Sequence, residues 1–580
     1  MGNKFSYFKN QGIIFSLIFS VSLLLVLPQI LNHSLVLGSD SLFHFNRVYD
    51  TYMQFKTGNF SYFQTNYGFQ QGGRIVNALY GPGFAYLLGG LLLIVHSWIK
   101  FQIISNFLIF FISGYLMYIL SREMASTKRI SLLTATFFMT SLWITRWSTE
   151  QNFMAWGIAL MPLVVVMALK MIKNNAEDLR IIPLALVVSL MIQVHLLSAL
   201  MSIGVLIVFF IVGFIQTNKK RQLVLKCIWA SLLSLVLTFN VWGAMLDVMT
   251  KNQLYPPYDN PDMAESTMNL STGDPTLTQI GLVMSIIFVL QILWVFMKRD
   301  QLPLTNKVVT ILGLLFLILA SNIMPWTELA AAVPELQRFL QFPRRFEGFA
   351  SVLLLAGFGA TLSTLPFKDS RKYCEFLLLA GSLSIGVQAY SEINKSNQIW
   401  NNQQPLASAE NVNVVSGRSN KQITDAFASS KLGAGLDLVT KATPDYLPNN
   451  RVTSIDPYVD YKRDMIINKS KVNKTVDKHG DLTIRWNAIK KGESISLPVV
   501  IYNGSTLKLN GKKINPKKIR LSTMGSPTIQ STNVDTNVLT VGYKSTMVTK
   551  LRLLIVVLTW VVSSLWAVGR MIVRCKNKLD

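Results

Sequence analysis

Three ionisable side chains stand at helical spacing near the start of the chain, in Gly38-Ser-Asp40-Ser-Leu-Phe-His44-Phe-Asn-Arg47. Asp40, His44 and Arg47 are at i, i+4 and i+7, so a helix would place all three on one face. A carboxylate can act as a general base, and a guanidinium binds phosphate oxygens. The alternative is structural: Asp40 would cap the helix, while His44 and Arg47 would face lipid headgroups.

A charged pair and a lone histidine follow further along the chain. In Arg146-Trp-Ser-Thr-Glu150 the two charges are at i and i+4, where they could serve a site or only form a salt bridge. His195, in Gln193-Val-His195-Leu-Leu-Ser, could likewise be a hydrogen-bonded histidine between two short spans. Each of these motifs is ordinary by itself.

Two adjacent arginines, Arg344 and Arg345, occur in Gln341-Phe-Pro343-Arg-Arg-Phe-Glu347 at the start of an apolar run. This end of the run is predicted to lie outside the cell, where the positive-inside tendency disfavours cations. One such arginine is easily explained by snorkelling. A pair indicates a phosphate site, because guanidinium groups bind phosphate oxygens in a bidentate manner.

The composition describes a membrane protein. The 580 residues are 51% hydrophobic and only 15% charged, with a mean hydropathy of +0.37. These values exclude a soluble enzyme and a fibrous protein, and three cysteines are too few for a secreted disulfide scaffold. In a membrane chain, the net charge of +25 points to anionic lipid or an anionic polymer before nucleic acid.

The apolar runs predict the membrane topology. Candidate segments lie at 12–31, 79–97, 101–120, 130–145, 155–172, 181–196, 198–215, 223–244, 278–297, 307–324, 346–366, 374–390 and 551–573. The basic short connections place both termini in the cytoplasm, which requires an even number of crossings. The segment 79–97 begins with the helix breakers Gly81-Pro82-Gly83 and is expected to re-enter from outside, which leaves about twelve spans.

The long polar stretch divides the chain into a membrane domain at 1–391, an extracytoplasmic domain at 392–550 and a final transmembrane helix with its tail at 551–580. Residues 392–550 carry 23 Lys and Arg against 12 Asp and Glu. Segments rich in β-branched residues, separated by turn signals such as Asn503-Gly and Asn510-Gly, predict a β-sandwich or jelly roll from about residue 440 onward. Residues 392–440 have no clear period.

The sequence contains no nucleotide fingerprint for an ATP-driven machine. The predicted spans also lack the midplane charges expected of a secondary transporter. No cofactor is required by any motif, and a divalent metal is possible. Any chemistry is therefore expected at the outer interface.

A first span, an outside loop opening with an acid, a His and an Arg, and then Tyr80-Gly-Pro-Gly-Phe-Ala-Tyr together resemble GT-C-type membrane glycosyltransferases. Those enzymes use polyprenyl-phosphate sugars. The motifs at Asp40–Arg47, Arg146–Glu150, His195–Leu200 and Gln341–Phe346 are more closely similar to bacterial YfhO-like and 6-pyruvoyl-tetrahydropterin-synthase-related membrane proteins. The outer domain and the last helix fit the same plan.

The sequence departs from that pattern at two places. Many GT-C enzymes carry two neighbouring acids in the first loop, whereas Ser41 follows Asp40 here and the next acid is Asp50. Arg345 matches the arginine expected after Phe-Pro-x, but Arg344 stands where an aromatic residue is expected. No His-rich zinc spacing supports pterin chemistry among the five histidines.

The resemblance implies transfer of a sugar from a polyprenyl-phosphate donor to an envelope glycopolymer, with inversion. Asp40 is then the expected base, with Glu150 as second choice. Arg344 and Arg345 are expected to hold the phosphate, and the remaining candidates to orient sugar or acceptor: His44, Arg47, Arg146 and His195. The alternative is a non-enzymatic protein that transports, anchors or scaffolds a lipid-linked or anionic polymer.

Overall fold

The computed structural model describes residues 2–365, 368–450, 456–467, 472–543 and 546–579. Within these ranges the chain is mostly helical. The helices before the polar stretch are α1 (Gly2–Asn32), α2 (Ser41–Thr57), α3 (Pro82–Val95), α4 (Trp98–Glu123), α5 (Lys128–Met139), α6 (Leu142–Glu150), α7 (Met154–Ile172), α8 (Ile181–Val194), α9 (Leu196–Gln216), α10 (Lys220–Leu237), α11 (Phe239–Met249), α12 (Leu282–Met297), α13 (Leu304–Ala320), α14 (Trp326–Ala332), α15 (Glu335–Phe339), α16 (Arg345–Ser363) and α17 (Lys368–Asn401). The later ones are α18 (Asn420–Ala428), α19 (Gly433–Leu438), α20 (Pro457–Tyr461) and α21 (Met547–Leu579).

The strands lie mainly near the carboxyl end of the chain. They are β1 (Gln64–Thr65), β2 (Arg74–Ile75), β3 (Val412–Val414), β4 (Val439–Lys441), β5 (Asn473–Val476), β6 (Leu482–Ala488), β7 (Ser494–Ser496), β8 (Ser505–Leu509), β9 (Lys512–Ile514), β10 (Arg520–Leu521), β11 (Pro527–Gln530) and β12 (Asp535–Tyr543). Every pairing between these strands is antiparallel.

Among the described residues, seven helices are long and apolar enough to cross a membrane, or eight if α10 and α11, bent by 62°, form one span. Four shorter apolar helices are α3, α8, α12 and α13. Twelve spans would require α8, α12, α13 and α5 to cross as well, so that number stays a prediction. The same holds for re-entry of α3, which begins at Pro82 after Gly81 in the left-handed region (φ 56°).

Each predicted apolar segment coincides with helix, but the prediction for 130–145 is wrong in one respect. The chain breaks at Thr140 and Ser141, so α5 ends before the short helix α6 begins. Ser141 is extended, with ψ 154°, which turns the chain between them. The break matters because α6, rather than a long span, carries Arg146 and Glu150.

The central helices of the bundle are α16 and α7, whose apolar windows are 83% and 78% buried, against 11% for α21 at the periphery. Close packing around α16 uses small residues: a Cβ at Gly348 would lie 2.3 Å from the Ile158 side chain of α7. The amino end of α16, which begins at Arg345, is therefore held firmly against α7.

The carboxyl-terminal β region is a sandwich. Its five-stranded sheet has the order β5-β6-β12-β8-β9, and its three-stranded sheet has the order β10-β11-β7. Apolar side chains of both sheets share one core, which includes Trp486 and Ile529. The two-residue turn Asn510-Gly511 joins β8 to β9 with both φ values positive, 49° and 80°, as a tight hairpin requires.

The sandwich begins at Asn473, later than the predicted start near residue 440. The segment before it belongs structurally with the helices: α17 continues past residue 392 to Asn401, and β3 pairs with β4. Phe427 and Val439 are buried in the same core as the membrane helices. The Trp98 indole also donates a hydrogen bond to the carbonyl of Leu432 (2.9 Å).

A buried arginine fastens this segment to the loop between α2 and α3. Arg74, 1% exposed, donates from Nη1 to the carbonyl and the hydroxyl of Thr443 (2.8 and 2.9 Å) and from Nη2 to the carbonyl of Asp445. The side-chain amide of Asn66 donates to the carbonyl of Gly480 (2.6 Å). These contacts fix the position of β4 over the start of α2.

Candidate active site

The loop before α2 is pressed against the end of α6. A Cβ on Gly38 would lie 2.2 Å from the carbonyl oxygen of Thr149, so only glycine permits this approach. The backbone N–H of Asp40 donates to the carbonyl of Glu150 (3.0 Å). Two sequence motifs more than a hundred positions apart thus meet at the backbone level.

Asp40 occupies the amino-cap position of α2, but its side chain accepts no capping hydrogen bond. Its carboxylate instead accepts from the side-chain amide of Asn152 (3.3 Å). The purely structural interpretation of Asp40 as a cap is therefore wrong. Its carboxylate is left for contacts with groups outside its own helix.

His44 and Arg47 lie on the same face of α2, as their spacing predicts, but they do not face headgroups. They are buried, with Arg47 fully inaccessible to solvent. The Arg47 guanidinium donates to the Asn77 side-chain oxygen (2.9 Å) and to the Tyr80 carbonyl, and it contacts His44 Nδ1 (3.2 Å). It also lies over the Tyr80 ring, 4.4 Å from its centroid.

Arg146 and Glu150 form the i,i+4 salt bridge that their spacing allows, with 2.6 Å between Nη2 and Oε2. The Arg146 guanidinium also lies 5.2 Å from the centroid of the Trp143 ring. Glu150 is thus a partner of Arg146, and this neutralises one of the two carboxylates at the site. Of the two carboxylates, Asp40 has fewer hydrogen-bond and salt-bridge partners.

His195 lies between α8 and α9 and caps α9. Its Nδ1 accepts the backbone N–H of Ser198 (3.2 Å), so the ring proton is on Nε2. The imidazole ring meets the Tyr80 ring edge to face at 5.9 Å. Capping explains Nδ1 only, and Nε2 remains a hydrogen-bond donor beside Tyr80.

Arg344 and Arg345 stand at the amino end of α16, as predicted. Arg345 donates from Nη1 to the carbonyl of Leu340 (2.8 Å), and both guanidinium groups lie over the Phe342 ring. Among the described residues neither arginine forms a salt bridge. Asp40 and Arg146 both influence the charge of Arg345, so the arginine pair belongs to the same cluster as the α2 and α6 groups.

The structure adds a cation that sequence reasoning missed. Lys441, at the end of β4, donates from Nζ to the carbonyl of Ser39, next to Asp40. Beside it the Tyr446 ring stacks on the Tyr80 ring at 6.5 Å. Both residues come from the segment that Arg74 fastens down. No local motif marks them, because they reach the site only through the fold.

The site is electropositive and largely desolvated. Burial raises the pKa of Asp40 to about 6, with Lys441 opposing the rise and Glu150 adding to it. Burial also holds the pKa of His44 well below its ordinary value, helped by Arg47, and lowers the pKa of His195 to about 3. Both imidazoles are therefore neutral near pH 7. Burial lowers the pKa of Arg344 to about 10, which leaves it charged.

The fold thus gathers all eight candidate residues and Lys441 around Tyr80 and Asp40. Lys441 and Arg146 act on the charge of Asp40, as do the carboxylates of Glu150 and Glu410. Arg344 and Arg345 lie in the same cluster as Arg146, and Arg47 lies against Tyr80. The roles assigned to these residues stay predictions. A surplus of guanidinium groups around one weakly occupied carboxylate is suited to binding an anion next to a base.

The second acid of the first loop does not join Asp40. Asp50 is fully buried and points the other way, accepting from the Tyr67 backbone N–H (2.8 Å) and the Gln54 amide (2.7 Å). Within the described ranges no group of three His, Cys, Asp or Glu side chains could hold a metal ion. Asp50 therefore does not form a two-acid site with Asp40.

No family model matches the chain, and no curated protein matches it. Among solved structures, it is similar to the oligosaccharyltransferase of Archaeoglobus fulgidus, crystallised with a tethered acceptor peptide. The similarity has a TM-score of 0.39 and 12% identity, over 72% of this chain and 58% of that one. The chain thus spans less than two thirds of the length of that protein.

Proposed function

We propose that this chain is an integral membrane glycosyltransferase that moves a sugar from a polyprenyl-phosphate donor to a cell-envelope glycopolymer. The observation that carries the proposal is the position of Asp40, a carboxylate that does not cap its own helix. Lys441 and Arg146 act on its charge, and Arg344 and Arg345 lie in the same cluster. In this proposal the reaction takes place at the outer face, with both termini in the cytoplasm and residues 392–550 outside; the basic short loops support this orientation.

Arg344 and Arg345 hold the donor phosphate in this proposal. They stand where α16 begins, so a lipid tail in the bilayer could lie along the helix while its phosphate meets the arginines. Neither arginine has a carboxylate partner in the described part of the chain, which leaves their charge for an incoming anion. Stacking on Phe342 limits the motion of both planar groups.

Asp40 acts as the base. It takes the proton of an acceptor hydroxyl as that oxygen attacks the anomeric carbon of the donor sugar. The bond between the anomeric carbon and the phosphate oxygen breaks, and the electron pair leaves on the polyprenyl phosphate. The arginines stabilise the negative charge that develops there. A single displacement of this kind inverts the anomeric centre, in contrast to a double displacement through a covalent intermediate.

The neutral imidazoles orient the sugar or the acceptor. His44 stacks on Phe153, with 4.0 Å between ring centroids, and Arg47 holds its Nδ1. The Nε2 atoms of His44 and His195 are then hydrogen-bond donors for hydroxyl or phosphate oxygens. Arg47, enclosed by Asn77 and Tyr80, positions His44 rather than contacting substrate.

One observation favours a second function, in which the chain only holds an anionic polymer. Residues 494–534 contain no acid but six cations, Lys508, Lys512, Lys513, Lys517, Lys518 and Arg520, all exposed. They follow one side of the sandwich, where β9 and β10 form the edges of the two sheets. Lysines also protect edge strands from pairing, so a structural role explains part of this pattern. In the enzyme proposal the same edge attracts an anionic acceptor.

The test is an assay of transfer from a radiolabelled polyprenyl-phosphate sugar to envelope polymer, in membranes that contain or lack the protein. The glycosyltransferase proposal predicts labelled polymer whose new linkage has the anomeric configuration opposite to that of the donor. A holding protein would retain polymer on the membrane without labelling it. Retained configuration would contradict the single-displacement mechanism.

A further inference from the structure

A separate cavity of about 390 Å³ lies beside the cation cluster, within the roughly 300–1,000 Å³ typical of small-molecule sites. It is enclosed by the α5–α6 break, the loop before α12, the start of α16 and the middle of α17. Its charged lining consists of Asp274, Glu347, Glu392 and Lys395. Lys395 pairs with Glu392, with 2.7 Å between Nζ and Oε1, so Asp274 and Glu347 make the cavity acidic, although the whole chain carries a net charge of +25.

The remaining polar lining offers hydroxyl and amide groups. Ser141, only 7% exposed, lines the cavity, and its Oγ has no hydrogen-bond partner among the described residues. A buried hydroxyl without a partner is costly, which indicates that a ligand or water supplies the bond. On the opposite wall the Gln388 amide donates to Asp274 (2.7 Å), which holds that carboxylate in place.

Trp143 connects this cavity to the cation cluster. Its indole N–H donates to Glu347, and the Arg146 guanidinium lies 5.2 Å from its ring centroid. Glu347 is also only two positions beyond Arg345 on α16. A ligand with an anionic end at the arginines could therefore place an adjoining group in the cavity.

We infer that this cavity binds a hydroxyl-rich ring, uncharged or amino-bearing, and rejects acidic sugars. Hydroxyl and amide groups match the hydroxyls of a sugar, and the carboxylates accept hydrogen bonds from O–H or N–H₃⁺ groups. The same carboxylates repel the carboxylate of a uronic acid. The inference rests on the proposed function for the identity of the ligand as a sugar.

The test measures binding of methyl glucoside, glucosamine and glucuronide to the purified protein by saturation-transfer NMR. Ser384→Trp fills the cavity from α17, where Ser384 is exposed. Leu383→Trp, on the exposed side of the same helix and outside the cavity, is the matched control. The glucoside and glucosamine should bind to the wild type and to Leu383→Trp and lose at least about tenfold in affinity in Ser384→Trp. The glucuronide should bind about tenfold more weakly than the glucoside. Asp274→Asn removes one negative charge from the cavity and should reduce this difference in affinity.

Equal binding in Ser384→Trp and Leu383→Trp, equal binding of glucuronide and glucoside, or no binding of any probe would overturn the inference. These outcomes are separable from failure of the proposed function. Sugar binding without any transfer activity would leave the cavity assigned and remove the glycosyltransferase proposal. Transfer activity that is unaffected by Ser384→Trp would keep the glycosyltransferase proposal and remove the assignment of the cavity as a sugar site.

Discussion

Replacing Lys441 should move the pH dependence of transfer. Asp40 can act as a base only when it is deprotonated, and burial raises its pKa to about 6. The value of kcat/KM should therefore fall as the pH falls through about 6, rather than near the ordinary range of a carboxyl group. The Lys441 ammonium bonds the carbonyl of Ser39, adjacent to Asp40, and favours the charged carboxylate.

The size of the effect follows from this proximity. An opposite charge within about 4–6 Å shifts a carboxyl pKa by about 1–3 units. Arg146 still favours the charged form in the variant, so we take the lower end. Lys441→Met should therefore raise the acidic limb by about one pH unit, equivalent to about 1.4 kcal/mol. The limb should move upward because removal of a cation makes the carboxylate harder to ionise.

The assay is a profile of kcat/KM against pH in one membrane preparation for each variant. Lys441→Arg keeps the charge and should keep the wild-type limb. Lys421→Met, at an exposed position on α18, controls for loss of a lysine from the segment between α17 and the sandwich. An unmoved limb in Lys441→Met, or no acidic limb near pH 6 in the wild type, would refute the assignment of Asp40 as a base under the influence of Lys441.

Three further predictions concern phosphate binding, positioning and topology. Arg345→Lys should weaken donor binding in the transfer assay by about 1–3 kcal/mol, because lysine lacks the planar guanidinium that binds phosphate in a bidentate manner. Arg344→Lys should have the smaller effect. If both variants show the wild-type dependence of transfer on donor concentration, the arginines are only snorkelling. Arg47→Met should destabilise the fold, because it leaves two buried oxygen partners unbonded at about 1–3 kcal/mol each; an unchanged Tm in detergent would contradict the buried network. A cysteine at Val534, which is 57% exposed, should be labelled by an impermeant maleimide in whole cells. A cysteine at Asn218, also exposed, should react only after lysis. The opposite labelling pattern would show that the predicted orientation in the membrane is wrong.

The helices could be predicted from the sequence because apolar runs of spanning length have few other uses. The spacing of Asp40, His44 and Arg47 likewise predicted one helical face, and His44 and Arg47 do touch. The break at Ser141 was missed because Thr140 and Ser141 lie within an apolar run that has the length of one span. A serine is a preferred helix N-cap, so these two residues carried the signal for a new helix. The start of the sandwich was misplaced for a similar reason, since β4 pairs with β3 and belongs to the helical core.

The composition of the site could be predicted only in part. The motif residues were found because each motif carries charges close together in the sequence. Lys441 and Tyr446 were missed because they approach Asp40 and Tyr80 across some four hundred positions, where no local pattern marks them. The sequence could not exclude a capping role for Asp40, because an aspartate stands at the same position before the helix whether or not its side chain caps it.

The central claim, that Asp40 is the catalytic base, is tested most directly by Asp40→Asn. Asparagine has nearly the same shape as aspartate, and Asp40 makes no capping hydrogen bond that the change could remove, so folding and insertion should be preserved. Asp262→Asn, in the loop between α11 and α12 where the side chain is exposed, is the matched control. Transfer from the polyprenyl-phosphate sugar should be abolished in Asp40→Asn and unchanged in Asp262→Asn, at equal protein levels in the membrane. Full activity of Asp40→Asn would contradict the assignment and leave the cations at this site as a binding device alone.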